Sequence, residues 1–576
     1  MGGYPAKKDD ISIVLCGEAG QGIQTVEFML TRFLKQCGYH FFATKEYMSR
    51  VRGGSNTTAI RVASRRVRAL VDRIDILIPL TRASMIRLSE RITDETIIIG
   101  NCEKVCGDGG GVSEHIIDIR FETLAKEIGG TIYANTIAVG VISGILALET
   151  HIIEEYVRRY FSRKGEEVIG NNLAALRKGY EIGAGLVRDG TVSVTLAKNP
   201  DVLNETFLNG SESVGAGALS GGCRFISSYP MTPGTGVLAF LSKWQERFGV
   251  IAEQAEDEIA AINMALGASY AGLRSMVTTS GGGFALMGEG VSLAGMLEQP
   301  MVIHLAQRPG PATGLPTRTE QADLELVLYV GHGEFPRAIF APGSMEEAFR
   351  LTRHAFNLAA KYQSPVFVLT DQYLIDSYYN LPVPDVGGFS VEPHIVETGE
   401  DYRRYRLTED GISPRGIPGH GQGLVVVDSD EHDTQGHITE DLDLRVKMVD
   451  KRLAKLDGLV SEALPPERIG PADATTCILC WGSTKYIVQE AVKRIGNPGV
   501  ALVHFSQLYP LHPETAALVE KAGRLILIEG NATGQFEKLL RLALGIEVDE
   551  LILKYSGLQY SVEEVEGLLA EVLGEG

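Results

Sequence analysis

The chain is 576 residues long, which is too long for one hydrophobic core and indicates about three or four domains. Its formal net charge of −19 argues against nucleic-acid binding as the main function, because phosphate groups are bound by basic surfaces. The sequence has neither a signal-peptide pattern nor the roughly 20 consecutive apolar residues of a membrane span, so we expect a cytoplasmic protein without membrane contact. Its seven cysteines are scattered, which suits reduced thiols.

The first predicted domain, residues 1–190, opens with an apolar strand, a glycine loop and a helical pattern. The loop contains Gly20 and Gly22 in the spacing GxxGxG. Such a loop leaves backbone N–H groups free to hold an anion, but the spacing matches neither the dinucleotide fingerprint nor the P-loop, and a purely structural turn is the alternative. Further on, Arg52 precedes two glycines and can either hold an anionic ligand or remain a solvated loop charge.

The second predicted domain, residues 191–385, contains a proline-rich turn after a short strand. Pro230 and Pro233 fix φ and push the preceding residues, Tyr229 and Thr232, toward extended geometry. The turn therefore holds the Thr232 hydroxyl in a stiff connection. A plain turn between a buried strand and a helix is the alternative interpretation.

A helical pattern follows this turn and begins near Glu256, with a stripe of small residues beside its apolar positions. A carboxylate at a helix start has an ordinary explanation in the helix dipole. It also has a chemical one, because a buried carboxylate beside an aminopyrimidine ring can share the ring-nitrogen proton. Glu256 is the candidate for this role, and Glu258 is the alternative.

Arg308 follows the apolar strand that ends at Gln307 and precedes a proline-rich loop. It thus stands where a strand leaves the sheet, at the edge where open α/β sheets bind ligands. A planar guanidinium there suits a substrate carboxylate. An ion pair with Glu320 or Asp323 is the structural alternative.

The remaining sequence divides into a connecting segment, residues 386–465, and a last domain, residues 466–576, in which short strands alternate with helical patterns. The connecting segment is rich in proline, glycine, histidine and charge. Cys477 and Cys480 lie inside an apolar strand, so we interpret them as core thiols and not as a redox or metal pair.

Four of these motifs occur in the order found in 2-oxoacid:ferredoxin oxidoreductases, and the chain resembles the α subunit of that family with its γ domain fused in front. The resemblance covers essentially the whole length. It implies an α/β, multidomain protein with a γ domain, a doubly wound pyrimidine-type thiamine diphosphate domain and a transketolase C-terminal-like domain. The motifs are the turn at 229–233, the helix start at 256–263 and the loops at 279–287 and 308–317.

The resemblance implies oxidative decarboxylation of a 2-oxoacid to acyl-CoA and CO₂, with electrons passed to ferredoxin; reversal would give reductive carboxylation. Our expected substrate is 2-oxoglutarate, although the sequence does not choose among 2-oxoacids. The implied roles are binding of the thiamine pyrimidine by Glu256, of the substrate by Tyr229, Thr232 and Arg308, and of coenzyme A by Gly20, Gly22 and Arg52.

The sequence has no convincing diphosphate site, since Gly107-Asp108-Gly109 does not end an apolar strand, and no cysteine set for an iron–sulfur cluster. The resemblance therefore implies a separate β subunit that carries a [4Fe–4S] cluster, Mg²⁺ and most of the thiamine diphosphate site, in an (αβ)₂ assembly. We expect no metal ligands on this chain. The alternatives are a non-catalytic scaffold or regulatory subunit, and a nucleotide-binding dehydrogenase, which lacks its GxGxxG fingerprint.

Overall fold

The structure is a computed structural model that describes residues 6–18, 23–48, 55–105 and 116–574. The chain divides into two compact units, of which the first contains Met1–Leu208, Ser377–Val383 and Ser561–Glu564. The second unit contains the rest, from Asn209 onward. Within the described ranges, no helix is both long and apolar enough to cross a membrane.

The described strands, in chain order, are β1 (Lys7–Lys8), β2 (Asp10–Glu18), β3 (His40–Glu46), β4 (Ser55–Ala63), β5 (Ile76–Pro79), β6 (Ile97–Gly100), β7 (Ile116–Asp118), β8 (Val194–Thr195), β9 (Thr206–Asn209), β10 (Phe225–Ser228), β11 (Ile251–Gln254), β12 (Ser275–Thr279), β13 (Met301–Gln307), β14 (Ala338–Phe340), β15 (Pro365–Asp371), β16 (Tyr378–Leu381), β17 (Glu467–Ile469), β18 (Thr476–Trp481), β19 (Val500–Phe505), β20 (Gln507–Tyr509), β21 (Arg524–Glu529) and β22 (Glu550–Leu553).

The described α-helices, in chain order, are α1 (Ile23–Gln36), α2 (Arg82–Arg87), α3 (Cys102–Val105), α4 (Phe121–Ile128), α5 (Ala134–Ile145), α6 (Thr150–Tyr160), α7 (Glu166–Arg188), α8 (Gly210–Ser220), α9 (Thr235–Phe248), α10 (Glu258–Tyr270), α11 (Gly281–Leu286), α12 (Gly288–Met296), α13 (Leu324–Tyr329), α14 (Met345–Tyr362), α15 (Gln372–Asp376), α16 (Leu442–Ser461), α17 (Lys485–Ile495), α18 (Glu514–Val519), α19 (Gln535–Leu544) and α20 (Val562–Leu573).

A mixed sheet organises the first unit, in the strand order β7-β6-β5-β2-β4-β3-β16-β9. Strands β2, β5, β6 and β7 run parallel, whereas β4 pairs antiparallel with both β2 and β3. Strand β16 pairs antiparallel with β3 although it comes from far along the chain. The structure thus groups residues 191–208 and 377–383 with the first unit, and not with the 191–385 domain of the sequence prediction.

Helices α5 and α7 of the first unit pack closely along four glycines. A Cβ added at Gly140 or Gly144 would clash with a backbone carbonyl of α7, and a Cβ at Gly179 or Gly183 would clash with a carbonyl of α5. Because any side chain at these positions would separate the two helices, the backbones touch only where glycine is present. This accounts for glycines inside helices, where they otherwise lower stability.

We expect Gly179→Ala to lower the free energy of unfolding of the first unit by about 1–3 kcal/mol, because the new methyl group overpacks the helix contact. The measurement is urea denaturation of the full chain, followed by far-UV circular dichroism. Gly185→Ala is the matched control on α7, since its added Cβ would contact only the Arg188 side chain, at 3.6 Å. Equal destabilisation by both substitutions would contradict the prediction.

Two sheets organise the second unit. The first has the order β11-β10-β12-β13-β15-β14-β20, with parallel pairs except for the antiparallel pair of β14 and β20. The second has the order β17-β19-β18-β21-β22, with only the β17–β19 pair antiparallel among the described pairings. Strand β13 is buried along its whole length, as expected for a parallel strand covered on both faces. Residues of both sheets, such as Ile303 and Leu479, belong to one hydrophobic cluster.

Helix α16 closes the connecting segment and carries two buried lysines, Lys451 and Lys455. Both ammonium groups form ion pairs with the carboxylate of Glu298, which is 1 % exposed. Burial lowers the pKa of Lys455 to about 7, with the carboxylate of Glu298 opposing this effect. One buried carboxylate therefore faces two buried cationic groups, an arrangement in which the desolvation of charge is costly.

The contribution of Lys455 to the free energy of unfolding depends on pH. Its pKa in the folded chain, about 7, lies below the ordinary 10.5, so the unfolded state binds more protons between these values. As pH rises from about 7 toward 10, we expect the free energy of unfolding of wild type to increase relative to that of Lys455→Met, by up to about 4 kcal/mol. Urea denaturation across this pH range measures it. A matching trend for the exposed control Lys447→Met would contradict the assignment to Lys455.

Candidate active site in the second unit

The turn at Tyr229–Pro233 and the residue after β13 meet at one edge of the parallel sheet. Arg308 is 6 % exposed, and its Nη1 donates a hydrogen bond to the carbonyl oxygen of Thr232 at 2.7 Å. Its Nη2 donates to Sδ of Met231 at 3.5 Å. The carboxyl ends of neighbouring parallel strands lie at the same sheet edge, which explains why residues so distant in sequence come together.

The Thr232 hydroxyl and the Arg308 guanidinium can each form a further hydrogen bond. Within the described parts of the chain, the Thr232 hydroxyl has no hydrogen-bond partner, and Nε of Arg308 is buried without one. Burial lowers the pKa of Arg308, and the nearby carboxylates of Asp323 and Glu258 oppose this. No direct ion pair between Arg308 and Glu320 or Asp323 forms in the described ranges; Asp323 acts on Arg308 through its nearby charge.

The two candidate carboxylates at the start of α10 lie in different environments. Glu256 precedes the helix and is exposed. Asp257 caps the helix, since its Oδ1 accepts a hydrogen bond from the Ala260 N–H at 2.6 Å. Glu258 is 3 % exposed, and its buried Oε1 has no partner among the described residues. The geometry therefore favours Glu258, the alternative of the sequence interpretation, over Glu256.

The glycine turn Ser280–Gly283 packs directly against two carboxylates. A Cβ at Gly283 would lie 2.5 Å from Oε1 of Glu258, and a Cβ at Gly281 would overlap the carboxylate of Asp323. Burial raises the pKa of Glu258 and raises that of Asp323 to about 7; in both cases Arg308 opposes the effect. Oδ2 of Asp323 is also buried and unpaired in the described structure. Two carboxylates with free oxygens thus contact one glycine turn.

Helix α10 leaves part of its surface uncovered. Ile259 and Met264 are 51 % and 42 % exposed, and an added Cβ at Gly267 would meet no atom within 4 Å. Tyr229, the first residue of the turn, is 38 % exposed. The described chain therefore presents an apolar, small-residue helix face close in sequence to Glu258.

Gly20, Gly22 and Arg52, together with the 107–109 stretch, lie outside the described residues. Cys477 and Cys480 are buried in β18, in agreement with core thiols.

A cluster of metal-ligand type, Glu347, Glu467 and His504, lies elsewhere in the second unit. The ammonium of Lys485 pairs with both of its carboxylates, at 2.6 Å from Glu467. A cation of the chain itself thus occupies the position that a metal would take.

Sequence reasoning singled out Thr232 and Arg308, which the structure brings into contact, ranked Glu256 above Glu258, and considered Asp323 only as an ion-pair partner. The missed signal for Glu258 is its helical spacing. Glu258 shares a helix face with the buried Ile262, whereas Glu256 lies before the cap. The sequence signal for Asp323 is weaker, because its position depends on how the loop folds back.

Comparisons with known proteins match both units. Residues 216–451 match the family described as pyruvate flavodoxin/ferredoxin oxidoreductase, thiamine diphosphate-binding, and residues 12–182 match pyruvate ferredoxin/flavodoxin oxidoreductase. The chain is 30 % identical to the 2-oxoacid:ferredoxin oxidoreductase subunit alpha of Saccharolobus solfataricus, covering 98 % of each chain. It is 27 % identical to a 2-oxoglutarate oxidoreductase subunit of Mycobacterium tuberculosis, covering 97 % of this chain and 90 % of that one.

A solved structure is similar over the same length. It is a 2-oxoglutarate:ferredoxin oxidoreductase from Magnetococcus marinus with 2-oxoglutarate, coenzyme A and succinyl-CoA bound. The TM-score is 0.91 at 29 % identity, with 98 % of this chain and 100 % of that chain covered. The predicted α/β, multidomain fold is thereby confirmed. The chain belongs to the family of 2-oxoacid:ferredoxin oxidoreductase α subunits.

Proposed function

We propose that this chain, with a β subunit, catalyses the oxidative decarboxylation of a 2-oxoacid to acyl-CoA and CO₂, with electrons passed to ferredoxin. The observation that carries the proposal is the buried, unpaired Oε1 of Glu258, in the same sheet-edge region as the Thr232–Arg308 contact. We take 2-oxoglutarate as the substrate, because the Mycobacterium tuberculosis relative and the Magnetococcus marinus structure are named for it.

The residues of the second unit fit the pyrimidine ring of thiamine diphosphate. When bound, that cofactor supplies the carbon nucleophile for the keto group, and it accepts the electron pair that remains when CO₂ departs. Its ring nitrogen needs a carboxyl partner, and Oε1 of Glu258 is a buried oxygen with no partner in the described chain. Burial raises the pKa of this carboxyl, which suits a group that shares a proton.

The substrate would be held at the Tyr229–Pro233 turn. Nε of Arg308 is free to donate to the carboxylate of a 2-oxoacid, and a guanidinium binds a carboxylate in a fixed orientation. The Thr232 hydroxyl would donate to the keto oxygen. Tyr229 would line the entrance, since its side chain is 38 % exposed. These contacts would raise the rate by orienting the reacting carbon.

A partner subunit completes the site in this proposal. The uncovered face of α10 around Gly267 is suited to close contact with another protein. We propose that the β subunit covers it and carries Mg²⁺, the [4Fe–4S] cluster and the diphosphate-binding part, in a cytoplasmic (αβ)₂ complex. Gly20, Gly22 and Arg52 remain proposed contacts of coenzyme A. The four-part division at 190, 385 and 465 likewise remains a proposal.

The test is co-expression of the chain with a β subunit of the same family, followed by anaerobic purification. Reduction of a low-potential dye is then measured with coenzyme A and a panel of 2-oxoacids. We expect turnover that depends on thiamine diphosphate and is fastest with 2-oxoglutarate. A complex that contains its cluster and cofactor but turns over no 2-oxoacid would point to a scaffold role.

A further inference from the structure

The loop that follows Arg308 has two halves with different surroundings. Residues 310–315 are exposed, whereas Thr317, Thr319 and Gln321 are buried. The Thr319 N–H donates to the carbonyl of Gly557 at 3.1 Å. The second half of the loop is therefore held to the C-terminal part of the second unit by backbone hydrogen bonds, whereas in the described structure the first half meets it only through the Leu315 side chain near Gly557.

Gln321 is the centre of this attachment, which we call the Gln321 clamp: Gln321 together with Trp481, Gly530 and Asn531. Gln321 N–H donates to the Gly530 carbonyl at 2.6 Å, and Gly530 N–H donates to Oε1 of Gln321 at 2.9 Å. Nε2 of Gln321 donates to the carbonyl of Trp481 at 2.9 Å. Nδ2 of Asn531 donates to the carbonyl of Gln321 at 2.9 Å. Gln321 is 2 % exposed, so these bonds have no competition from water.

One hydrogen bond joins the clamped end of the loop to Gln307, the residue before Arg308, and a second holds Gln307 to β15. The N–H of Asp323 donates to Oε1 of Gln307 at 3.0 Å, and Nε2 of Gln307 donates to the carbonyl of Thr370 at 3.1 Å. Gln307 directly precedes Arg308 and is fully buried. The two ends of the loop are thus joined to each other beside the sheet edge, and one of them is fixed by the clamp.

We infer that Gln321 and Asn531 are positioning residues for the substrate, because the clamp fixes the loop that begins at Arg308 and carries Asp323. The C-terminal sheet, which consists of β17, β18, β19, β21 and β22, then contributes to substrate binding without contacting the substrate. This inference rests on the proposed function, since it assigns substrate binding to Arg308. Small displacements of such groups lower rates by up to about 10²-fold, so a loosened clamp has a measurable effect.

The test uses two substitutions in the assembled αβ complex. Gln321→Met keeps the approximate length of the side chain and removes its hydrogen bonds. Asn531→Asp keeps Oδ1, which accepts from the N–H groups of Thr533 and Gly534, and removes the Nδ2 donor to Gln321. We expect both to raise KM for 2-oxoglutarate, about tenfold or more for Gln321→Met, while KM for coenzyme A stays within about twofold. Amide hydrogen exchange of residues 317–325 should become faster.

Gln507→Met is the matched control. Gln507 is 4 % exposed, accepts from the Leu464 N–H at 2.9 Å and donates to the Pro510 carbonyl at 3.1 Å, without a recorded bond to the loop. We expect it to leave both KM values and the exchange of 317–325 unchanged.

Several outcomes would overturn the inference. Faster exchange with an unchanged KM for 2-oxoglutarate would show that the clamp holds the loop without positioning the substrate. Unchanged exchange in both variants would show that the clamp does not hold the loop. If Gln321→Met does not fold, Asn531→Asp decides alone. A wild-type complex without turnover would overturn the proposed function and this inference together. If the wild-type complex turns over normally and the variants give either of the contradicting results above, only the inference is overturned.

Discussion

Glu258→Gln in the assembled complex is expected to lower kcat by about 10²- to 10⁴-fold, the range found when a positioned acid–base group is removed. The amide keeps the size of the side chain but cannot share a proton with the pyrimidine ring. Because Oε1 of Glu258 is buried and unpaired in the described chain, the substitution breaks no recorded contact there. Anaerobic dye reduction with saturating thiamine diphosphate measures the effect.

The control for this experiment is Glu256→Gln, two residues earlier. Glu256 is exposed before the helix cap, so its substitution should change kcat by less than about threefold. The opposite ranking, with Glu256 essential and Glu258 dispensable, would return the cofactor role to the residue that sequence spacing favours. Equal, small effects of both substitutions would support the scaffold alternative.

Arg308→Met is expected to lower kcat/KM for 2-oxoglutarate by about 10²-fold, because loss of a buried charge-assisted contact costs about 2–5 kcal/mol. Arg308→Lys should recover only part of this loss. A lysine keeps the charge but lacks the planar set of donors that reaches both Thr232 and a carboxylate. Steady-state kinetics with varied 2-oxoacid concentration separates this loss from a change in coenzyme A use.

Arg337→Met provides the matched control, since Arg337 is likewise 6 % exposed. Its Nη1 donates to the carbonyls of Val327 and Val330, both at 2.9 Å, so its role in the described structure is to hold the C-terminal end of α13. We expect this substitution to lower thermal stability with little change in KM for the 2-oxoacid. A similar KM increase in both variants would mean that Arg308 acts through stability.

Much of the fold follows from local sequence patterns. Apolar runs predicted the first strand of the first domain, the strand that ends at Gln307 and the strand that contains Cys477 and Cys480, which agree with β2, β13 and β18. The pairing of β16 with β3 was out of reach, because nothing in a four-residue strand states that it returns to a sheet formed more than 300 residues earlier.

The site was predictable where a motif determines the backbone. The prolines around Thr232 and the strand end before Arg308 located two residues that the structure brings into contact. The choice between Glu256 and Glu258 depended on where α10 begins. Asp257 caps the helix and turns Glu258 into the core, and helix starts are uncertain by one or two residues in any sequence interpretation.

The return of residues 377–383 to the first unit limits how this chain can be divided. Strand β16 covers the free edge of β3, with its Tyr378 and Tyr379 opposite Ala43 and Phe42. A fragment that stops at Leu208 would expose that edge as a row of unpaired N–H and C=O groups, which is a template for aggregation. A soluble first unit made on its own therefore needs residues 377–383 grafted after β9, or charged residues placed along β3.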